Sequence, residues 1–281
     1  MPTFTTPSPI DLAINLPVGA IEVVASDRTD TVVTVSPTNP DKAVDRRGAE
    51  ETTVDFDGER LTVKGPKPRI SIIGPSESVD LKVELPTGSR LTAEISVGGV
   101  RTSGRLGATR IKASTGTVEV DAVADLWLRA SHGSASVASA DGSIEVTADH
   151  GQIRVGTVTG DAIVKSSHGG VQLDDVGGDL DAKLSYGDLE IGTARGSITA
   201  KTAYGTIRIA DVSAGSVELD SGYGQVTVGV REGVSAWLDL SSKGGRVRNE
   251  LEGDTSPELA QSSVAVRART GFGDITIRRA R

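Results

Sequence analysis

Residues 168–187 read HGGVQLDDVGGDLDAKLSYG and contain one full repeat of this chain, from Gly169 to its counterpart Gly187. Glycines recur at this spacing, with successive intervals of 18, 17, 18, 18, 18, 18 and 19 residues, at Gly98, Gly116, Gly133, Gly151, Gly169, Gly187, Gly205 and Gly224. Looser counterparts follow at Gly245 and Gly273. A fixed period of this length is typical of a solenoid, in which each repeat forms one coil and stacks on the next.

Apolar and polar side chains alternate on both sides of these anchor glycines. Two and four residues after an anchor the chain is apolar, as at Val171 and Leu173. A second apolar pair lies seven and five residues before an anchor, as at Ile198 and Ala200. A third apolar position lies seven residues after the anchor, as at Val176. Because a period of two is the mark of a strand, each coil is predicted to hold two short strands and a third corner.

The apolar parity shifts by one residue across each anchor. Glycine lacks a Cβ and adopts positive φ without steric penalty, so it turns the chain at this point. One coil alone is unstable, because ordering each residue costs about 1.5 kcal/mol and a few aliphatic side chains do not offset that sum. The sequence therefore predicts an all-β fold, a single-stranded right-handed parallel β-solenoid with about 18 residues per coil.

The first 87 residues follow a different pattern, with longer apolar runs at residues 10–25, 31–35, 52–63 and 79–85. We predict an N-terminal β-rich capping region over residues 1–87, which protects the edges of the first coil, and a solenoid repeat domain over residues 88–281. The charged stretch 37–51 is expected to be a loop, since no segment shows a helical period. Residues 250–263 form an insert that is expected to cover the C-terminal end.

Composition excludes several functional classes. The net charge of −8 argues against nucleic-acid binding, because neutralising phosphates needs clustered Lys and Arg. The absence of cysteine excludes disulfides and thiolate metal sites. The sequence has no run of 18 apolar residues and no signal-peptide pattern, so we expect no transmembrane segment and a soluble, cytoplasmic protein. No nucleotide-binding or metal-binding motif is present, and we expect no cofactor.

Aromatic and histidine rings occupy the position before six consecutive anchors, at His132, His150, His168, Tyr186, Tyr204 and Tyr223, and Phe272 ends this column. Stacked coils align such rings along one edge at the strand spacing of about 4.8 Å. Two interpretations stay open. The column is either a recognition stripe that packs on a partner or stacks on sugar rings, or a ladder that only stabilises the corner. A metal site is not expected, because ladder neighbours lie parallel and do not converge.

A basic column lies four residues before the anchors and points outward by parity, at Lys112, Arg129, Lys165, Lys183 and Lys201. One interpretation is a basic stripe for an acidic polymer, an anionic membrane surface or an acidic protein face. The alternative is a solvated strand face on which Lys and Arg discourage edge association.

Some β-helices are carbohydrate-active enzymes, and these need carboxylates that converge in a cleft. Asp174 and Asp175 are adjacent, so on a strand they point to opposite faces. Asp179 and Asp181 follow a glycine turn, where acids more often serve turn geometry. We therefore predict no catalytic residue and no enzyme activity. A carbohydrate-active β-helix enzyme and an adhesin or self-assembling structural solenoid remain the alternatives.

The repeat, the strand ends LPVG (residues 16–19) and LPTG (85–88), and the closing strand GDITI (273–277) together resemble one family. It is the DUF4097 family of candidate adhesins, also called toastrack-like, and the likeness covers nearly the whole chain. The resemblance implies a β-solenoid, no established activity, and an association with bacterial envelope-stress systems of the phage-shock or Lia type. We expect a non-enzymatic binding or scaffold protein with a protein partner, and leave peripheral membrane contact, glycan binding and oligomeric state open.

Overall fold

The computed structural model describes residues 2–67, 77–251 and 262–280, and the chain forms two compact units, residues 1–141 and 142–281. The predicted insert at residues 250–263 falls mainly outside the described residues. In the first unit the elements are β1 (Thr3–Thr5), β2 (Asp11–Ser26), β3 (Asp30–Pro37), α1 (Ala43–Glu51), β4 (Thr53–Phe56), β5 (Arg60–Lys64), β6 (Val79–Pro86), β7 (Arg90–Ser103), β8 (Arg105–Leu106), β9 (Thr109–Thr115), β10 (Val118–Val123), β11 (Leu126–His132) and β12 (Ala135–Ala140).

The second unit consists of strands and the turns between them. Its elements are β13 (Ile144–His150), β14 (Ile153–Val158), β15 (Ala162–His168), β16 (Val171–Val176), β17 (Leu180–Tyr186), β18 (Leu189–Ala194), β19 (Ile198–Tyr204), β20 (Ile207–Val212), β21 (Gly215–Tyr223), β22 (Val226–Val230), β23 (Val234–Ser242), β24 (Val247–Asn249), β25 (Ser262–Phe272) and β26 (Ile275–Arg279).

Strands of successive coils pair in parallel, with a register of one repeat. Val171 pairs with Leu189 in the B strands, which follow the anchors, and Lys183 pairs with Lys201 in the A strands, which precede them. The inward positions predicted from the alternation, such as Leu173 and Val176, are fully buried. The prediction of a right-handed parallel β-solenoid with a β-rich N-terminal cap is therefore confirmed. The domain division at residues 87 and 88 stays a prediction.

The layers of the first unit do not follow chain order. Strand β2 pairs in parallel with β7 from Asp11 to Val24, and on its other edge with β5 and β6. Strands β5 and β6 therefore form the layer beyond β2, although they come later in the sequence. Antiparallel pairing then covers this layer, with β3 on β6 and β4 on β5.

In the second unit, too, the order of the layers differs from the order of the strands in the chain. Strand β25 lies between β21 and β23, and β26 lies between β22 and β24, with all four pairings parallel. The layer formed by β23 and β24 is thus the outer one, and the last strands of the chain are inserted beneath it. The sequential order of coils that the glycine series implies is wrong at this point.

Helix α1 corrects the expectation that residues 37–51 form a loop. Its buried Asp45 carboxylate accepts hydrogen bonds from the backbone N–H groups of Asn39 (3.2 Å) and Ser78 (3.1 Å). Gly48 packs so closely on Glu77 that an added Cβ would lie 2.7 Å from its Cβ. A nine-residue helix is too short to form alone, so these tertiary contacts stabilise it and no sequence period reveals it.

The apolar run at residues 52–63 also differs from the expected single strand. It divides into β4 and β5, which pair antiparallel around a turn at Asp57 and Gly58. Gly58 has φ +106°, and the Asp57 carboxylate accepts hydrogen bonds from the N–H groups of Glu59 (3.0 Å) and Arg60 (2.8 Å). A residue pair of this kind favours a tight turn and reverses the chain.

Candidate functional site

The anchor glycines form a column of corners with positive φ, as predicted. Their φ values run from +132° at Gly98 to +153° at Gly224. A Cβ on Gly187 would overlap the carbonyl oxygen of Gly169, the anchor of the preceding coil, and Gly205 and Gly224 repeat this relation with Gly187 and Gly205. Gly245, one of the looser counterparts, does not share the positive φ, while Gly19 in β2 does. Only glycine fits these corners, because both the conformation and the space exclude a side chain.

Hydrogen bonds at these corners hold the ring residues in register. The anchor N–H donates to the carbonyl of the ring residue in the next coil: Gly169 to Tyr186 (3.0 Å), and Gly187 to Tyr204 (2.9 Å). The bond from Gly224 to Phe272 (2.8 Å) extends the pattern into the inserted strand β25. Each ring therefore starts from a backbone position fixed by two neighbouring coils.

Six rings of the second unit stack face to face along this edge, at His150, His168, Tyr186, Tyr204, Tyr223 and Phe272. Successive ring centroids lie 4.8, 5.1, 5.0, 4.9 and 4.9 Å apart, and the interplanar angles are 6, 9, 3, 4 and 9°. We call this set the ring ladder. His132, the remaining predicted member, belongs to the first unit, where its strand partner is Thr115.

The ring ladder exposes edges and covers faces. Tyr186, Tyr204 and Tyr223 are 50%, 47% and 49% exposed, while each of their faces lies against a neighbouring ring. A sugar that stacks on an aromatic ring needs a free face, so the arrangement does not favour that part of the predicted recognition stripe. The ladder instead presents a flat row of ring edges and phenol hydroxyls to solvent.

Buried hydroxyl groups support the ladder from inside, and the sequence reasoning missed them. Ser166 donates to the carbonyl of Gly169 (3.1 Å), Ser221 to that of Gly205 (3.2 Å) and Thr270 to that of Gly224 (3.0 Å). Each of these bonds gives a backbone carbonyl at the corner a hydrogen-bond partner. The sequence contains a pattern that could have revealed them, because each hydroxyl residue lies three residues before an anchor glycine, at a position that is apolar in other coils.

The basic column is exposed, as parity predicted, and acidic side chains neutralise much of it. Lys112 pairs with Glu94 (2.6 Å), Lys165 with Glu145 (3.2 Å) and Lys183 with Asp181 (2.9 Å). The other two predicted members are Arg129, which lies beside Lys112, and Lys201, which lies between Lys183 and Asp220. Ion pairing of this kind reduces the attraction for an anionic polymer, so the column fits a solvated strand face better than a binding stripe.

One family model, described as Toastrack DUF4097, matches residues 11–278. This chain belongs to the Toastrack DUF4097 family. The match confirms the resemblance found in the repeat and its strand ends. The comparison with curated proteins gives no match.

Three crystal structures are similar to this toastrack chain at low identity. A candidate adhesin from Bacteroides fragilis NCTC 9343 is 13% identical, with 98% of this chain and 95% of that chain covered and a TM-score of 0.41. One from Parabacteroides distasonis ATCC 8503 is 12% identical, with 98% and 95% covered and a TM-score of 0.34. A candidate cell adhesion protein from Clostridium sporogenes ATCC 15579 is 11% identical, with 99% and 98% covered and a TM-score of 0.23. Family membership rests on the sequence match alone.

The carboxylates that a carbohydrate-active enzyme would need have structural partners in this toastrack protein. Arg195 donates two hydrogen bonds to Asp175, at 2.6 and 2.8 Å. Asp179 accepts from the backbone N–H of Ser197 (2.7 Å), which ties one turn to the next. Asp175 and Asp179 therefore link successive coils.

Within residues 2–67, 77–251 and 262–280, no three or more His, Asp or Glu side chains are grouped to hold a metal ion. No helix in those ranges is long and apolar enough to cross a membrane.

Proposed function

We propose that this protein is a non-enzymatic binding or scaffold protein that contacts a protein partner through the exposed edges of the ring ladder. The observation that carries the proposal is a row of stacked rings, three of them tyrosines that are about half exposed. Tyrosine edges combine apolar area with a hydroxyl, and this combination is common at protein interfaces.

The fixed orientation of the tyrosine rings supports the same proposal. Stacking on both faces and the backbone bonds of the glycine corners hold each tyrosine in one orientation before any partner arrives. Ordering a side chain on binding costs about 0.5–1.5 kcal/mol, and a preordered ring avoids that cost. The ladder therefore suits a partner surface that is itself flat and contains apolar groups.

The proposal includes a location and a setting. We place the protein in the cytoplasm, as its sequence predicts, and its partner among envelope-stress components, as the family resemblance implies. Cell fractionation tests the location. Recovery of the protein in the external or envelope fraction would favour the adhesin alternative.

Site-specific photo-crosslinking tests the contact surface. A photoreactive phenylalanine analogue at Tyr204 is expected to give one discrete protein adduct in a lysate of the native cells, whereas the same analogue at Arg208, exposed in the following strand, is not. Adducts of equal yield from both positions, or none from Tyr204 at near-physiological salt, would overturn the proposal.

The triple variant His150→Ala, Tyr186→Ala, Tyr204→Ala separates binding from stability. If the ladder is the contact surface, the adduct formed from an analogue at Tyr223 disappears while the variant still unfolds cooperatively below the wild-type melting temperature. If the rings only stabilise the corner, the melting temperature falls and the adduct persists.

A further inference from the structure

A cavity of about 400 Å³ lies on the surface of the first unit, and none of its lining residues belongs to the ring ladder. Parallel register places the starts of β5, β2, β7, β9 and β11 side by side around it. The small side chains of Thr92 and Ala108 line the cavity among much longer ones, which leaves an unfilled space. Its volume is within the range of about 300–1,000 Å³ that is usual for small-molecule pockets.

Positive charge predominates in the cavity, although the chain is acidic. Its lining includes Arg60, Arg90 and Arg110 against the two carboxylates of Asp11 and Asp125. Arg90 donates to the Asp11 carboxylate, and the pKa of Arg90 is raised by that hydrogen bond and by the attraction of the same carboxylate. Among the described residues, neither Arg60 nor Arg110 has an acidic side chain within ion-pair distance. The Asp57 carboxylate, which is outside the lining, attracts Arg60 from a longer range, and the lining itself has three guanidinium groups against two carboxylates.

The Arg110 guanidinium is stacked on an indole ring. Its central carbon lies 3.7 Å from the ring centroid of Trp127, its neighbour in the adjacent strand. Stacking occupies a face of the guanidinium and fixes its plane, while the N–H donors in that plane remain available. A guanidinium held in this way matches the paired oxygens of a carboxylate or a phosphate.

We propose that this cavity binds a small anionic molecule, such as a compact sugar that carries a carboxylate or phosphate group. Arg110 binds the anionic oxygens as a fork, Arg60 supplies the second positive charge, and Trp127 holds Arg110 in place. Thr92 lies beside Arg110 in register and offers a hydroxyl to the body of the ligand. The site is distinct from the ring ladder and stands whether or not the ladder binds a protein.

Intrinsic fluorescence tests the binding in the full chain. The sequence has two tryptophans, so Trp237→Phe leaves Trp127 as the only indole reporter. Glucose 6-phosphate, glucuronate and uncharged glucose are titrated at constant ionic strength. A saturable change with at least one of the two anions, and none with glucose, is the expected result. The tighter of the two anions identifies whether phosphate or carboxylate is preferred.

Matched arginine variants locate the site by calorimetric titration with the tighter anion. Arg110→Gln and Arg60→Gln are each expected to weaken binding about tenfold or more, since each removes a charge-assisted contact. Arg110→Lys retains the charge but loses the fork, and is expected to bind between wild type and Arg110→Gln. Arg208→Gln, in the second unit, changes the net charge equally and should bind like wild type.

Three results would overturn the proposal. One is the absence of saturable binding by either anion up to about 10 mM, where a specific pocket of this kind should be occupied. Another is equal binding of glucose. The third is equal weakening by Arg110→Gln and Arg208→Gln, which would show a response to net charge alone.

Discussion

In the first unit the outer layer of β5 and β6 is paired along both of its edges, whereas in the second unit the layer of β23 and β24 is paired along one edge within the described residues. The side chains reflect this difference. Leu81, Val83 and Leu85 of β6 are buried, while β23 is mostly half-exposed and its Trp237 is 61% exposed.

Both units nevertheless place one layer beneath a layer from a different part of the chain, with β2 beneath β5 and β6, and β25 with β26 beneath β23 and β24. A strand with neighbours on both edges has its backbone N–H and C=O groups paired on both sides. The comparison shows that burial of a layer depends on what covers it and not on its place in the sequence. Exposed parallel edges invite further pairing, so the antiparallel cover in the first unit also limits association.

The largest effect is expected where a corner glycine lies in an inserted layer. Gly19→Val in β2 requires a side chain at φ +139° and would overlap the carbonyl of Val79 in the outer layer. The loss in free energy of unfolding should exceed about 4 kcal/mol, as measured by denaturant titration. Gly58→Ala is the control, because it is also at positive φ but has open space around it, and should cost about 1 kcal/mol. Similar losses for both would show that backbone strain alone decides the effect.

Truncations in the core should reproduce the difference between the two outer layers. Ile277→Ala in β26 creates a cavity at a fully buried site and is expected to cost about 3 kcal/mol, whereas Leu238→Ala in the half-exposed β23 should cost about 1 kcal/mol. In the first unit, Leu16→Ala in β2 and Leu81→Ala in β6 should cost similar amounts, since both are buried. Chemical denaturation measures all four, and a Leu238 loss as large as that of Ile277 would show that β23 is covered.

The end of the ring ladder should make a smaller contribution. Phe272→Ala in the inserted β25 removes a stacked contact with Tyr223 and is expected to cost about 1 kcal/mol. Val97 occupies the corresponding position before an anchor in β7 of the first unit, is about as exposed, and Val97→Ala should stay within about 0.5 kcal/mol. Equal losses in thermal unfolding would mean that ring stacking adds nothing to burial.

The smallest effect concerns the turn between the covering strands β4 and β5. The N–H groups of Arg60 and then Glu59 lower the pKa of Asp57 below its ordinary value of 3.8. The folded form therefore binds this proton less readily than the unfolded form, so the stabilisation is complete above that ordinary value and is lost as the pH falls through the lowered pKa. Asp57→Asn keeps an acceptor oxygen, and the slope of stability against pH below 4 should become slightly shallower. Parallel curves for variant and wild type would contradict this assignment.

Much of the candidate site followed from spacing alone. Tyr186 and Tyr204, for example, are 18 residues apart in the sequence. The parallel register of one repeat pairs them in neighbouring strands and brings their rings into contact. The ion pairs of the basic column and the hydroxyls beneath the anchors needed the structure, because they depend on side-chain direction. The arginine cavity was beyond sequence reasoning, since Arg60, Arg110 and Trp127 come from three strands without a shared motif.

The sequence by itself determined the coil, its two strands and its glycine corner, because alternation and a fixed period are local properties of the chain. Only the tertiary structure decided the order of the layers around β2, β25 and β26. Every coil offers a similar aliphatic interior and a similar backbone edge, and β25 pairs in parallel with both β21 and β23. No local sequence pattern predicts which strand lies next to β25. The pairing depends on the packing of the whole unit.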